Sequence, residues 1–152
     1  MTSVAPSPSL PKFLGQEPSS GLCAFHALNH FMGGTLTLPA FMSQATTFYQ
    51  KRLGMERVDA KTLTDGGNDP ALVAELLTGL AEQTTRSLTA TDLDYYKKIL
   101  IPLKNRAHFI TILKGDGGTW WNYDSLLGQP AKLDNPASFL TQNPAQSYFL
   151  AK

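Results

Sequence analysis

The chain has one cysteine, Cys23, in 152 residues. No disulfide can form within it, and a reducing setting is expected, the cytoplasm or the host cytosol if the source is a pathogen. Charge of one sign is missing as well: thirteen Lys and Arg stand against twelve Asp and Glu, a net charge of +1. That balance offers no basic face for nucleic acid and no polybasic run for a membrane surface, so neither is expected as a partner. Long apolar runs are also lacking. The opening MTSVAPSPSLPKFLGQEP places Pro and Ser where a signal peptide or membrane span needs an unbroken apolar stretch, and no secretory route by that means is expected. What the chain does have is 42% hydrophobic residues spread along its length, enough for one core without disulfides or metals. Residues 1–12 read as a flexible or extended lead-in and 13–152 as the folded unit.

Helical patterns come first. Ser19, Ser20 and Gly21 are N-cap candidates for an apolar run over 22–32 that stops at Gly33 and Gly34. Thr37 and Pro39 open a second helix, with Phe41, Met42, Ala45, Phe48, Tyr49 and Leu53 at helical spacing and Gly54 at its end. Asp69 and Pro70 start a third, with Leu72, Val73, Leu76, Leu77 and Leu80 on one stripe. From about Thr85 the apolar residues alternate or cluster in short runs, which predicts strands near 86–89, 98–103, 107–114, 119–124 and 147–151. Gly115-Asp116-Gly117-Gly118 forms a hairpin turn, and a short helix follows Asn135-Pro136. The fold class is therefore α+β, with a helical layer on one face of an antiparallel sheet.

Cys23 falls in the first helical turn, where free N–H groups and the helix dipole stabilise a thiolate. A thiol nucleophile needs a base. His26 and His30 share its helix and raise a zinc reading, but three candidate ligands fall short of the four that structural zinc wants, and no second Cys exists. The competing expectation places His26 in the core and His30 half-exposed. His108 opens the strand HFITILK. Counting back from a turn of three or five residues puts Lys114 opposite Gly118, Ile112 opposite Trp120, Ile110 opposite Asn122 and His108 opposite Asp124. Opposed β-carbons lie about 4.5–5.5 Å apart, so the Asp124 carboxylate can accept Nδ1–H and leave Nε2 to face the thiol. On spacing alone the pair reads equally well as a strand-end histidine and an aspartate that starts the turn at Ser125. The Cys23 N–H and the Gln16 side chain are candidate oxyanion donors. Asn122 is a lesser candidate for orienting or for holding substrate, and Trp120 shares its face.

Taken together, GQEPSSGLCAFHALNH, GGNDPALVAELL, AHFITILKGDGGTWWNYDSLL and SYFLAK resemble, in this order, the segments of the Josephin family of papain-like deubiquitinating cysteine proteases. The resemblance implies a papain-like fold, Cys23 as nucleophile, His108 as base, Asp124 as third member and Gln16 as oxyanion glutamine. It implies hydrolysis after the Gly-Gly end of ubiquitin or a ubiquitin-like modifier, with polyubiquitin as a further partner, no cofactor or metal, and a monomer. Residues 36–68 correspond to an arm that controls access of ubiquitin, and Phe41 and Phe48 there are candidate substrate contacts. Two residues more than the family pattern separate Gln16 from Cys23, and Phe109 stands where the family has Trp. The alternatives are a ubiquitin-binding module without turnover and another papain-like peptidase, such as a double-glycine leader peptidase.

Overall fold

The computed structural model describes residues 10–15, 22–52, 54–56, 58, 70–104 and 108–152. Gln16, the cap candidates at 19–21 and Asp69 lie outside them. Helix α1, Cys23–Phe31, ends where the glycines predict. Gly34 N–H reaches the Asn29 carbonyl and Gly33 N–H that of His30, with Gly33 at φ 74°, the paired bonds of a Schellman stop that only glycine enters without strain. Thr37 caps α2, Leu38–Arg52, through Oγ1 to the Ala40 N–H. The third helix, α3, is shorter than its stripe predicts, Pro70–Leu76. Gly79 at φ 80° lies just beyond it, and Leu80 is left exposed.

Two short elements replace the strand expected at 86–89. Strand β1 lies earlier, at Glu82–Thr84, and helix α4 follows at Ala90–Tyr95. Thr89 and Asp92 form a capping box there, and Arg86 grips the same Asp92 carboxylate with two 2.7 Å bonds. Those bonds and the Thr89 N–H hold Asp92 well below the usual carboxylate range. Strands β2 (Lys98–Pro102), β3 (Phe109–Lys114), β4 (Trp120–Asn122) and β6 (Tyr148–Ala151) fall where expected. An unforeseen β5, Ala131–Leu133, precedes α5 at Pro136–Gln142. The result is a mixed α+β architecture. Among the described residues it has five helices and a six-stranded antiparallel sheet of order β1-β6-β2-β3-β4-β5.

The sheet is covered on both faces, which corrects the expectation of one helical layer. Leu100, Phe109 and Phe149 pack with α1, α2 and α3 in one cluster, whereas Ile99, Ile101, Ile110, Ile112 and Trp120 pack with Tyr96 and Leu140 in another. The cause is legible in β2 and β3, where KILIP and FITILK are apolar on both sides and almost wholly buried, so water is excluded only by helices above and below. Phe41 and Phe48, expected to touch substrate, belong to the first cluster at 0% and 6% exposure, and Tyr49 joins them. This corrects their assignment as contacts: α2 turns its aromatics inward because α3 covers them. Phe41→Ala is expected to lower stability by about 3–5 kcal/mol, read by denaturant unfolding.

No described helix is long and apolar enough to cross a membrane.

Candidate active site

Cys23 is the first residue of α1, preceded by Leu22, whose side chain gives no cap hydrogen bond. It therefore occupies the positive end of the helix dipole. All nine residues of α1 are buried, so the helix is held from every side. One bond fixes it against the sheet: Thr111 Oγ1 of β3 donates to the Ala27 carbonyl at 2.7 Å, fully buried. That pin sets the helix against the strand that follows His108. Thr111→Val keeps the shape but deletes the donor, and a stability loss of about 1–2 kcal/mol is expected in thermal unfolding.

His108 lies just before β3, and its side chain hydrogen-bonds that of Cys23. Its Nε2 meets Asp124 Oδ1 at 2.7 Å, with the histidine 6% and the aspartate 14% exposed. Two details differ from expectation. The carboxylate engages Nε2 rather than Nδ1, so Nε2 carries a proton and Nδ1 is the nitrogen left for the thiol. The register is also displaced by two residues: the tight turn occupies Asp116–Gly118, closed by Gly115 N–H to the Thr119 carbonyl, so Lys114 faces Trp120 and Ile112 faces Asn122. His108 and Asp124 both lie beyond the last pair, Ile112 with Asn122, just before β3 and just after β4. The pair is therefore made by side chains reaching across from the ends of the two strands, not by residues directly opposed in the ladder.

Asp124 fills both roles that spacing left open. Its Oδ1 also accepts the Leu126 N–H at 3.0 Å, and its carbonyl accepts that of Leu127 at 2.9 Å. It therefore starts the turn and is itself locked while holding the imidazole. Burial works to lower the His108 pKa. Against it stand the Asp124 hydrogen bond, the Cys23 hydrogen bond and the negative charges of both partners, and together they lift it to about 9. The ring is cationic at neutral pH.

The other histidines are not brought into this site. His30 is fully buried, contrary to the half-exposed expectation, stacked on Phe13 and edge-on to Tyr123, with Nε2 accepting the Leu14 N–H at 2.9 Å. Burial first, then the neighbouring His26, push its pKa down to about 4 against a smaller opposing contribution from the Tyr123 backbone. His26 is buried too, and burial lowers its pKa. Among the described residues, no three His, Cys, Asp or Glu side chains are grouped to hold a metal. Leu10 and Pro11, expected in the lead-in, pack firmly beside Phe13, the first residue of the expected folded unit: Leu10 and Phe13 meet Leu113, Trp121 and Tyr123, and Tyr123 Oη donates to the Pro11 carbonyl. Sequence reasoning missed this strap; its signal was Leu10 and Phe13 amid the prolines.

No protein-family model matches the chain, and no curated protein does.

Of the substrate-binding candidates, Trp120 is 3% exposed in the second core beneath Lys114, which corrects its assignment: β4 turns it away from solvent. Asn122 sits opposite Ile112 rather than Ile110, and its Oδ1 is buried without a partner among the described residues. Cys23 itself is 2% exposed.

Proposed function

We propose that this protein is a cysteine hydrolase of papain-like, Josephin type that cleaves peptide or isopeptide bonds after the Gly-Gly end of ubiquitin or a ubiquitin-like modifier. The observation that carries the reading is the chain of contacts from Cys23 through His108 to Asp124, three residues from a helix start, a strand start and a turn. A merely structural histidine has no need of a thiol on one side and a locked carboxylate on the other. The Cys23 sulfur, its proton already held at Nδ1 of the cationic His108 ring, adds to the scissile carbonyl. The tetrahedral oxyanion is placed where the Cys23 N–H, and Gln16 by its resemblance, would donate to it. His108 then returns the proton to the leaving amine, which departs and leaves a thioester on Cys23. Water, deprotonated by the same imidazole, hydrolyses that thioester and frees the carboxylate and the thiol.

The test is hydrolysis of ubiquitin carrying a fluorogenic C-terminal amide, run beside a short leader peptide ending in Gly-Gly. Release from ubiquitin, lost in Cys23→Ala, supports the reading. Release from the short peptide alone assigns a leader peptidase, and release from neither assigns a module without turnover.

A further inference from the structure

Residues 10–15 belong to no helix or strand, yet they are fastened to α1 and to the residue that precedes Asp124. Tyr123 Oη donates to the Pro11 carbonyl at 3.0 Å, the Phe13 ring stacks on that of His30 with centroids 5.4 Å apart, and the Leu14 N–H donates to His30 Nε2 at 2.9 Å. His30, with Tyr123 edge-on to it at 5.1 Å, lies about two turns along α1 from Cys23. A histidine that merely filled this space would serve no better than phenylalanine, because Phe13 and Tyr123 need only a ring between them. What the imidazole adds is a lone pair. As an acceptor Nε2 carries no proton, so the ring is neutral with its proton on Nδ1, and the pKa of about 4 keeps it neutral at ordinary pH. The acceptor meets a backbone N–H in a segment that has no ladder to satisfy it. The Leu14 side chain is itself 39% exposed, so the bond holds this residue by its backbone.

We propose that His30 is a positioning residue of the cysteine reaction, anchoring through Leu14 the chain that carries the oxyanion glutamine. The proposal rests on the hydrolase reading and on the role that resemblance gives Gln16. Gln16 follows Leu14 by two residues, and two residues span at most about 7 Å, so the Leu14 bond bounds where the glutamine can stand whatever path the chain takes. Towards Cys23 the connection is two residues longer than the family pattern, and that slack makes the nucleophile a loose anchor for it. An oxyanion donor stabilises the tetrahedral intermediate only when it is held where the charge develops. Loosening the anchor is therefore felt in the transition state and not in the binding of the modifier.

The experiment compares the whole chain with His30→Phe, which keeps the ring stack and deletes the acceptor, and with His30→Gln, whose Oε1 can accept in its place. Hydrolysis of ubiquitin carrying a fluorogenic C-terminal amide is measured beside alkylation of Cys23 by iodoacetamide, a displacement that builds no oxyanion. His30→Phe is expected to lower kcat about 10- to 100-fold with KM within about twofold. Alkylation should keep the wild-type rate, and His30→Gln should recover most of the loss. In a Gln16→Ala background, itself slowed, His30→Phe should cost less than about twofold more. If His30→Phe does not fold, Leu14→Pro removes the donor at an exposed position and carries the same expectation for kcat and alkylation. An unchanged kcat, alkylation slowed as much as hydrolysis, or full additivity with Gln16→Ala overturns the proposal and leaves the hydrolase reading standing. A wild type that is alkylated but cleaves neither ubiquitin amide nor the short Gly-Gly peptide removes that reading, and the proposal with it.

Discussion

His108→Ala is expected to lower turnover on ubiquitin amide by on the order of 10⁴-fold or more, because one ring performs every proton transfer in the cycle. The loss should fall on kcat rather than KM, since the imidazole lies behind the nucleophile and grips no remote part of the substrate. The variant should still fold: Asp124 keeps the Leu126 N–H and is partly open to water. His108 also links pH to stability. Its folded pKa of about 9 stands above the ordinary 6.5, so the charged pair stabilises the fold fully below about pH 6.5, and that stability is lost as the pH climbs through 9. The contribution, on the order of 2–3 kcal/mol, should vanish from a pH series of unfolding curves in His108→Ala. A wild-type protein whose stability is flat between pH 6 and 10 would contradict the charged pair.

Asp124→Ala should cost turnover about 10²- to 10⁴-fold, less than loss of the base, because the aspartate holds the ring and its charge without moving a proton. Its signature is in the pH profile. The wild-type activity should fall as the pH rises through about 9, when the ring no longer holds a proton for the leaving amine. Without the Asp124 hydrogen bond and charge, burial acts on His108 with less opposition, and the alkaline limb should move to lower pH. Asp124→Asn should retain more activity than Asp124→Ala, as its amide oxygen can still accept both the Nε2 proton and the Leu126 N–H. Asn122→Ala should cost less than either. Turnover that survives Asp124→Ala but collapses in Asn122→Ala would move the orienting role to Asn122.

The hairpin signal was enough to bring histidine and aspartate to the same end of the β3–β4 pair, although both lie beyond its last pair, Ile112 with Asn122. The position of the turn was not legible: in a run of Gly115, Asp116, Gly117 and Gly118, several three-residue loops satisfy the backbone, and packing of Trp120 and Trp121 on opposite faces decides. Which imidazole nitrogen meets the carboxylate depends on the direction from which α1 approaches, which no spacing encodes. His30 reads as half-exposed from its polarity, yet α1 is apolar almost all round and is enclosed, with the Leu10–Gly15 strap closing over its end. The strands β1 and β5 are three residues each and carry no period to detect. Helix α4 was available in Thr89-Ala90-Thr91-Asp92, a capping pattern outweighed by the β-prone residues before it.

The role of Cys23 as a nucleophile addressed by a modifier's Gly-Gly end is tested most directly by labelling. Ubiquitin bearing a thiol-reactive group in place of its terminal carboxylate is incubated with the folded protein, and the adduct is mapped by mass spectrometry. One adduct on Cys23 is expected, absent in Cys23→Ala and slowed at least about a hundredfold in His108→Ala, whose thiol has no base. A protein that stays unlabelled by ubiquitin and ubiquitin-like probes, or labels equally fast without His108, would contradict the account.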